Sequence, residues 1–220
     1  MNHKWLVCRR SLFALVCATL VLLLLAPECA AECMGESVTL SKAAHPITAG
    51  ERFRWFACGS VGPESLVGGL FSAGFSTAFN TPREYGPHWE GFGKRYGLRL
   101  TGVSTGNAIE AGLGAVLGQD PRYFRATGQP FKTRVGHTIK MTFMAENRNG
   151  GLTPAYARLA AIPSSNFLSN AWRPDSTANA SDALVRSLIG VAGKMGGNAF
   201  NEFWPDIRDR LPHKSGKRKP

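Results

Sequence analysis

The chain has 220 residues, with 26 Lys and Arg against 15 Asp and Glu for a net charge of +11, 44% hydrophobic residues, 25 glycines and 5 cysteines. That length and apolar content suit one domain with its own core and exclude a chain too polar to collapse. The positive excess, in an exported protein, points to anionic lipid headgroups rather than nucleic acid, because steering by net charge is indifferent to which anion answers it.

Residues 1–31 read as a signal peptide. Lys4, Arg9 and Arg10 make a positive start, Leu12 to Ala26 is almost wholly apolar, and Cys29-Ala30-Ala31 is a small-residue exit that places cleavage before Glu32. The apolar run falls short of the roughly 20 residues a bilayer span requires, which favours cleavage over a retained anchor, and both stay open. Arg9-Arg10 also has part of a twin-arginine signal, while the acids at Glu28 and Glu32 speak against lipidation at Cys29 or Cys33. Cleavage lowers the net charge to +9, through loss of Lys4, Arg9, Arg10 and Glu28, and leaves Cys33 and Cys58 as the two thiols in an oxidising compartment. A disulfide between them and two unpaired cysteines are equally compatible with the spacing.

Residues 32–62 are polar and punctuated by Pro46 and Gly50, and read as an irregular N-terminal segment. A helical domain is expected over 63–212. Its first helix runs from Glu64 to Phe79 behind Pro63, and its second from His88 to Leu117 behind Pro87. Asp120-Pro121 then suits a cap followed by proline at the first helical position. A third helix is expected from Pro130 to Glu146. The fourth starts where Thr153 caps Pro154 and reaches Trp172, and the fifth runs from a cap at Ser181 to Phe203, where Trp204-Pro205 bends or restarts it. Residues 213–220, with Lys214, Lys217, Arg218 and Lys219, read as a disordered basic tail. The fold class is therefore all-α, a bundle of about five Gly/Ala-rich helices. No succession of ten-residue alternating segments supports a β-barrel, and no mature stretch offers a charge-free span.

Glycine recurs every four residues at Gly102, Gly106, Gly114 and Gly118, with Glu110 on the same stripe, and again at Gly193 and Gly197. A helix keeps such positions on one face, and each glycine costs up to about 1 kcal/mol relative to alanine, so close approach of another backbone is the expected compensation. Period-four ridges interdigitate at steep angles, which predicts that the second and fifth helices cross closely.

Chemical candidates are sparse. Glu110 and Glu202 lie on or beside the glycine faces and are weak candidates for acid, base or ligand roles. Asn107 and Asn198 are nearby, and Arg95, Arg99, Arg122 and Arg125 supply counter-charges, so buried ion pairs are the better reading. His45, His88 and His137 form no ligand pattern, so no metal is expected. Neither a nucleophile elbow nor a phosphate loop is present, and no cofactor is expected. Trp89, Phe92, Lys94, Arg95, Tyr96 and Arg99 interleave rings and cations as at a membrane interface, or simply form a packed surface helix.

Gln119-Asp120-Pro121-Arg122-Tyr123-Phe124-Arg125, Ser164-Ser165-Asn166-Phe167 through Trp172-Arg173-Pro174, and Asn201-Glu202-Phe203-Trp204-Pro205-Asp206-Ile207 together resemble a family of uncharacterised exported proteins of Gram-negative soil bacteria, especially acidobacteria. The resemblance spans about residues 83–211 and implies no activity, since the family has none established. Family members carry Tyr-Tyr-Pro where this chain has Ala171-Trp172-Arg173-Pro174. In physical terms Asp120 caps a short helix opened by Pro121, Tyr123 and Phe124 anchor it, Arg122 and Arg125 reach carboxylates or headgroups, and Trp204-Pro205 anchors the other end.

The sequence thus points to an exported envelope protein of the periplasm or outer membrane, structural or membrane-associated rather than catalytic, with a membrane surface or a second copy of itself as partner. A periplasmic enzyme using Glu110 or Glu202 in a helix-lined pocket is the alternative, and a soluble periplasmic binding or assembly factor a third.

Overall fold

The computed structural model describes Cys33 and residues 45–210; the expected signal peptide and basic tail lie outside the described residues. The protein is an all-α bundle with one small sheet. Its helices are α1 (Ala49–Val61), α2 (Pro63–Ala78), α3 (Trp89–Leu117), α4 (Phe131–Phe143), α5 (Tyr156–Leu168) and α6 (Ala180–Arg210), joined by short 3-10 turns.

Helix α1 corrects the expectation of an irregular segment over 32–62. Thr48 Oγ1 accepts the Glu51 amide at 3.3 Å, while the Glu51 carboxylate accepts the Thr48 amide at 2.8 Å, a reciprocal capping box that satisfies two donors left open at a helix start. Glu51 sits well below its ordinary carboxyl pKa, chiefly because of that Thr48 amide. Pro63 opens α2 directly after Gly62, and α3 runs 29 residues to Gly118, whose φ of +69° ends it in a left-handed turn.

After α3 the expected short helix at Asp120-Pro121 is absent. Gln119–Asp120 is instead strand β1, antiparallel to β2 (Met144–Asn147), which pairs in turn with β3 (Leu152–Pro154). The third and fourth expected helices are shorter than drawn because Met144–Asn147 and Thr153–Pro154 belong to this sheet. Strands of two to four residues are too brief to show a period of two. Helix α6 starts from Asn179, whose Oδ1 accepts the Asp182 amide at 2.8 Å, so Asn179 takes the capping role expected of Ser181. It continues through Pro205 to Arg210 as one helix, where a bend or restart at Trp204-Pro205 was expected.

Packing also departs from expectation. Helix α3 lies against α1, α2 and α5, while α6 rests on α4 and α5; the close crossing of α3 with α6 is not formed. The partner of the α3 glycines is a small-residue stripe, Ala157, Ala161 and Ser165 on α5 with Ser169 just beyond its end, all buried. A Cβ added at Gly106 would stand 3.2 Å from Ser165 Oγ, and one at Gly114 would meet Gln119 O at 3.1 Å and Ala157 Cβ at 3.8 Å. At Gly102, Gly193 and Gly197 it would meet nothing within 4 Å. Only part of the stripe therefore reflects close approach.

The interior is small and polar. Among the described residues its buried apolar side chains are six alanines with Phe124, Met141 and two prolines, whereas Phe71, Phe75, Phe79, Trp89, Val116, Leu188 and Ile189 lie more than 60% exposed. Large apolar side chains ordinarily fill the core. Here they cover the outside.

Candidate functional site

Three carboxylate nodes hold the helices. Glu110 on α3 accepts Arg158 Nε from α5 at 2.9 Å, and the same guanidinium donates to the carbonyls of Met141 and Pro121 at 2.7 and 3.1 Å. Both residues are buried, so one arginine joins α3, α4, α5 and the segment after β1. Asp120 receives Arg122 Nη2 at 2.7 Å and the Arg122 amide at 2.9 Å, and Arg122 Nη1 reaches Glu51 at 3.1 Å. Asp120 thus holds its own neighbour and, through it, the capping box of α1.

Glu202, fully buried on α6, is the third. Its carboxylate accepts Arg134 Nε at 2.6 Å, Tyr123 Oη at 2.9 Å and the Ala126 amide at 3.2 Å. Arg134 also pairs with Asp206, which Arg125 Nη2 contacts at 3.1 Å. Burial, reinforced by the neighbouring Glu202 carboxylate, pushes the Tyr123 phenol far above its ordinary value, so it stays a neutral donor. The two stretches 119–125 and 201–207 accordingly meet in space through Tyr123, Arg125, Glu202 and Asp206. Phe124 is buried and lies under the Arg122 guanidinium, while Trp204 stacks on Phe200 at 5.1 Å and stays partly exposed; Pro205 is buried within α6.

Glu110 and Glu202 are not brought into a common site. Each is held by its own guanidinium, and Glu202 has no access to solvent. Arg134 and Arg158, the two arginines that hold them, were not singled out from sequence. The four-residue spacing of Ala157, Ala161, Ser165 and Ser169 was a readable signal for the face that presents Arg158 beside Glu110.

The largest cavity, about 1090 Å³, opens between α1, α2, α3, α5 and α6. Gly102 and Gly193 line it, so their missing side chains leave volume rather than contact. Leu98, Val103, Ile162 and Ile189 supply apolar wall; Arg99, Arg173, Arg186 and Lys194 supply positive charge, and Glu64, Glu110 and Asp182 negative charge. Burial lowers the pKa of each of the three arginines and draws Lys194 down to about 8, with Glu110 opposing that shift and Arg158 reinforcing it. Lys194 Nζ sits 5.3 Å from the centre of the Trp55 ring. No cluster of metal-ligand residues occurs among the described residues. Cys33 and Cys58 form a disulfide, tying the N-terminal side of the chain to α1 at the cavity's edge.

No family model matches the chain, no curated protein is significantly similar to it, and no solved structure matches it.

Proposed function

We propose that this is an exported cell-envelope protein that lies on a membrane, its outer apolar face in the lipid interface and its positive charge against anionic headgroups. The observation that carries the reading is α2. Gly69 and Ala73 are buried and Ser65 and Ser76 half-buried on its inner side, while Val67, Leu70, Phe71 and Phe75 point outward at 50% exposure or more, followed by Phe79 just beyond its end. A helix that turns small residues to its neighbours and aromatic ones outward gains nothing from water on that side, and a contiguous exposed apolar patch marks a membrane or protein contact.

Three further observations support it. The net charge of +11, or +9 after loss of residues 1–31, complements anionic lipid, the Cys33–Cys58 bridge suits an oxidising compartment, and no described helix is long and apolar enough to cross a membrane, which favours a surface position. Kinship with the exported soil-bacterial family belongs to the same proposal. The enzyme alternative is weaker, since neither Glu110 nor Glu202 is presented to a substrate without breaking its arginine pair.

The test is flotation of the purified chain with phosphatidylglycerol-containing vesicles. Binding is expected, weakened about tenfold or more by Phe71→Ser with Phe75→Ser, since each large apolar side chain contributes roughly 1.5–3 kcal/mol when fully buried. A parent chain that stays in the aqueous fraction, or that forms a stable dimer in which the α2 face is covered by a second copy, overturns the reading.

A further inference from the structure

The large cavity is lined by cations and acids together, Arg99, Arg173, Arg186 and Lys194 with Glu64, Glu110 and Asp182. Arg122, which also lines it, and Arg134 and Arg158 each pair with an acid, whereas Arg99, Arg173, Arg186 and Lys194 form no ion pair among the described residues. Their partners are neutral. Arg99 Nη1 donates to Ser65 O at 3.0 Å and Arg173 Nε to Ser169 Oγ at 3.1 Å, while Arg186 reaches Asn170 Oδ1 and Thr177 O. Arg186 Nε is buried with no acceptor at all. Burying charge is costly unless it is paired, so half-buried cations without an ion-paired acid around an open volume, with Arg186 Nε lacking any acceptor, suit an anion that arrives from outside.

The volume is more than an inorganic ion needs. At about 1090 Å³ it stands at the upper end of the range for small-molecule sites. Its far wall is apolar, made by Leu98 and Val103 on α3, Ile162 on α5 and Ile189 on α6, and Gly102 and Gly193 widen it by having no side chain where one would meet nothing within 4 Å. Arg173 and Arg186 are near enough to feel each other's charge and define one end, and Lys194 lies two helical turns further along α6.

We propose that this cavity binds a single-chain amphiphile with an acidic headgroup, a carboxylate or a phosphate, the headgroup held by Arg173 and Arg186 and the chain lying along the glycine-lined groove between α3 and α6. The site does not rest on the membrane reading. The outward aromatic face of α2 is opposite the side that lines the cavity, so vesicle flotation and ligand binding fail independently.

Isothermal titration of the purified chain with dodecanoate and with dodecyl phosphate, both below their micellar concentrations, tests it. One molecule per chain is expected to bind for at least one of the two acids, and their ratio tells carboxylate from phosphate; inorganic phosphate and uncharged dodecyl maltoside are expected not to saturate. Arg173→Gln, which removes a cation that donates to Ser169 Oγ, should weaken binding about tenfold or more. Gly102→Leu should abolish it while the melting temperature holds or rises, because the added side chain occupies empty volume and improves helix propensity. Absence of saturable binding by both acids, equal binding of dodecyl maltoside, or undiminished binding to a folded Gly102→Leu chain overturns the proposal.

Discussion

Substituting Glu202 by glutamine separates the structural account of the buried carboxylates from a catalytic one. The change is nearly isosteric. It removes the negative charge that faces Arg134 Nε at 2.6 Å and replaces one acceptor oxygen by an NH₂ group, among three donors that all point inward: Arg134, Tyr123 and the Ala126 amide. At most two of those donors keep an acceptor, and Arg134 keeps Asp206 and the Glu202 carbonyl. Breaking a buried pair costs about 3–5 kcal/mol, and the remaining acceptors for Arg134 place this substitution near the lower end. At about 2–4 °C per kcal/mol for a chain of this size, a loss of about 3 kcal/mol lowers the melting temperature by roughly 6–12 °C. Thermal and urea unfolding followed by far-ultraviolet circular dichroism reads this directly, and a cycle with Arg134→Met should return a coupling energy above about 1 kcal/mol. A Glu202→Gln chain that melts with the parent refutes the argument, and loss of an enzymatic activity alongside that unchanged melting would move Glu202 to a chemical role.

Gly91 should tolerate no side chain, because a Cβ there would press on the carbonyl oxygens of Tyr85 and Gly86, which Arg95 fixes from Gly86 O and Thr81 O. Gly91→Ala is therefore expected to cost about 1–3 kcal/mol by chemical denaturation, while Gly97→Ala, with nothing within 4 Å, should gain up to about 1 kcal/mol. Cys58→Ser removes a bridge closing a separation of 25 residues and should cost about 3 kcal/mol against the oxidised parent, an effect that disappears when both are measured under reducing conditions. Lys194 is drawn down to about 8 in the folded state from an ordinary 10.5, so its charge opposes folding. That penalty is full below pH 8, fades as pH rises to 10.5 and is absent above it. Lys194→Met should accordingly melt higher than the parent at pH 7, with the gap closing by pH 10.5; a gap that is reversed or independent of pH contradicts this.

Much of the helical skeleton was legible because its boundaries are chemically marked. Pro63, Asn80-Thr81-Pro82, Pro87 and Gly118 bracket α2 and α3 within a residue or two of where they lie. Helix α1 escaped notice although Thr48-x-x-Glu51 is the sequence form of a capping box; Pro46 and Gly50 overrode it as breakers, and Gly50 in fact sits harmlessly in the first turn with open space around it. The sheet escaped because Asp120-Pro121 is equally good as a helix start. Its fate is decided by Arg122, which takes the Asp120 carboxylate and leaves residues 121–126 without helix or strand. The glycine stripe reads as a flattened face, yet sequence alone cannot distinguish a face flattened for contact, as at Gly106 and Gly114, from one hollowed for volume, as at Gly102 and Gly193. Long-range pairing was the least visible layer. Arg134 and Arg158 look like ordinary helix-surface cations until α4, α5 and α6 come together and bury them against Glu202 and Glu110.

The molecule keeps small and polar groups inside and its large apolar side chains outside, and in the proposed function those side chains lie against lipid. Placing the photoreactive phenylalanine analogue p-benzoylphenylalanine at Phe71 or Phe75 in cells, with Ser65 on the inner side of α2 as the control, and irradiating intact envelopes tests this most directly. Phospholipid adducts at positions 71 and 75 but not at 65 are predicted. Adducts exclusively to protein, or no position-dependent capture at all, would contradict it.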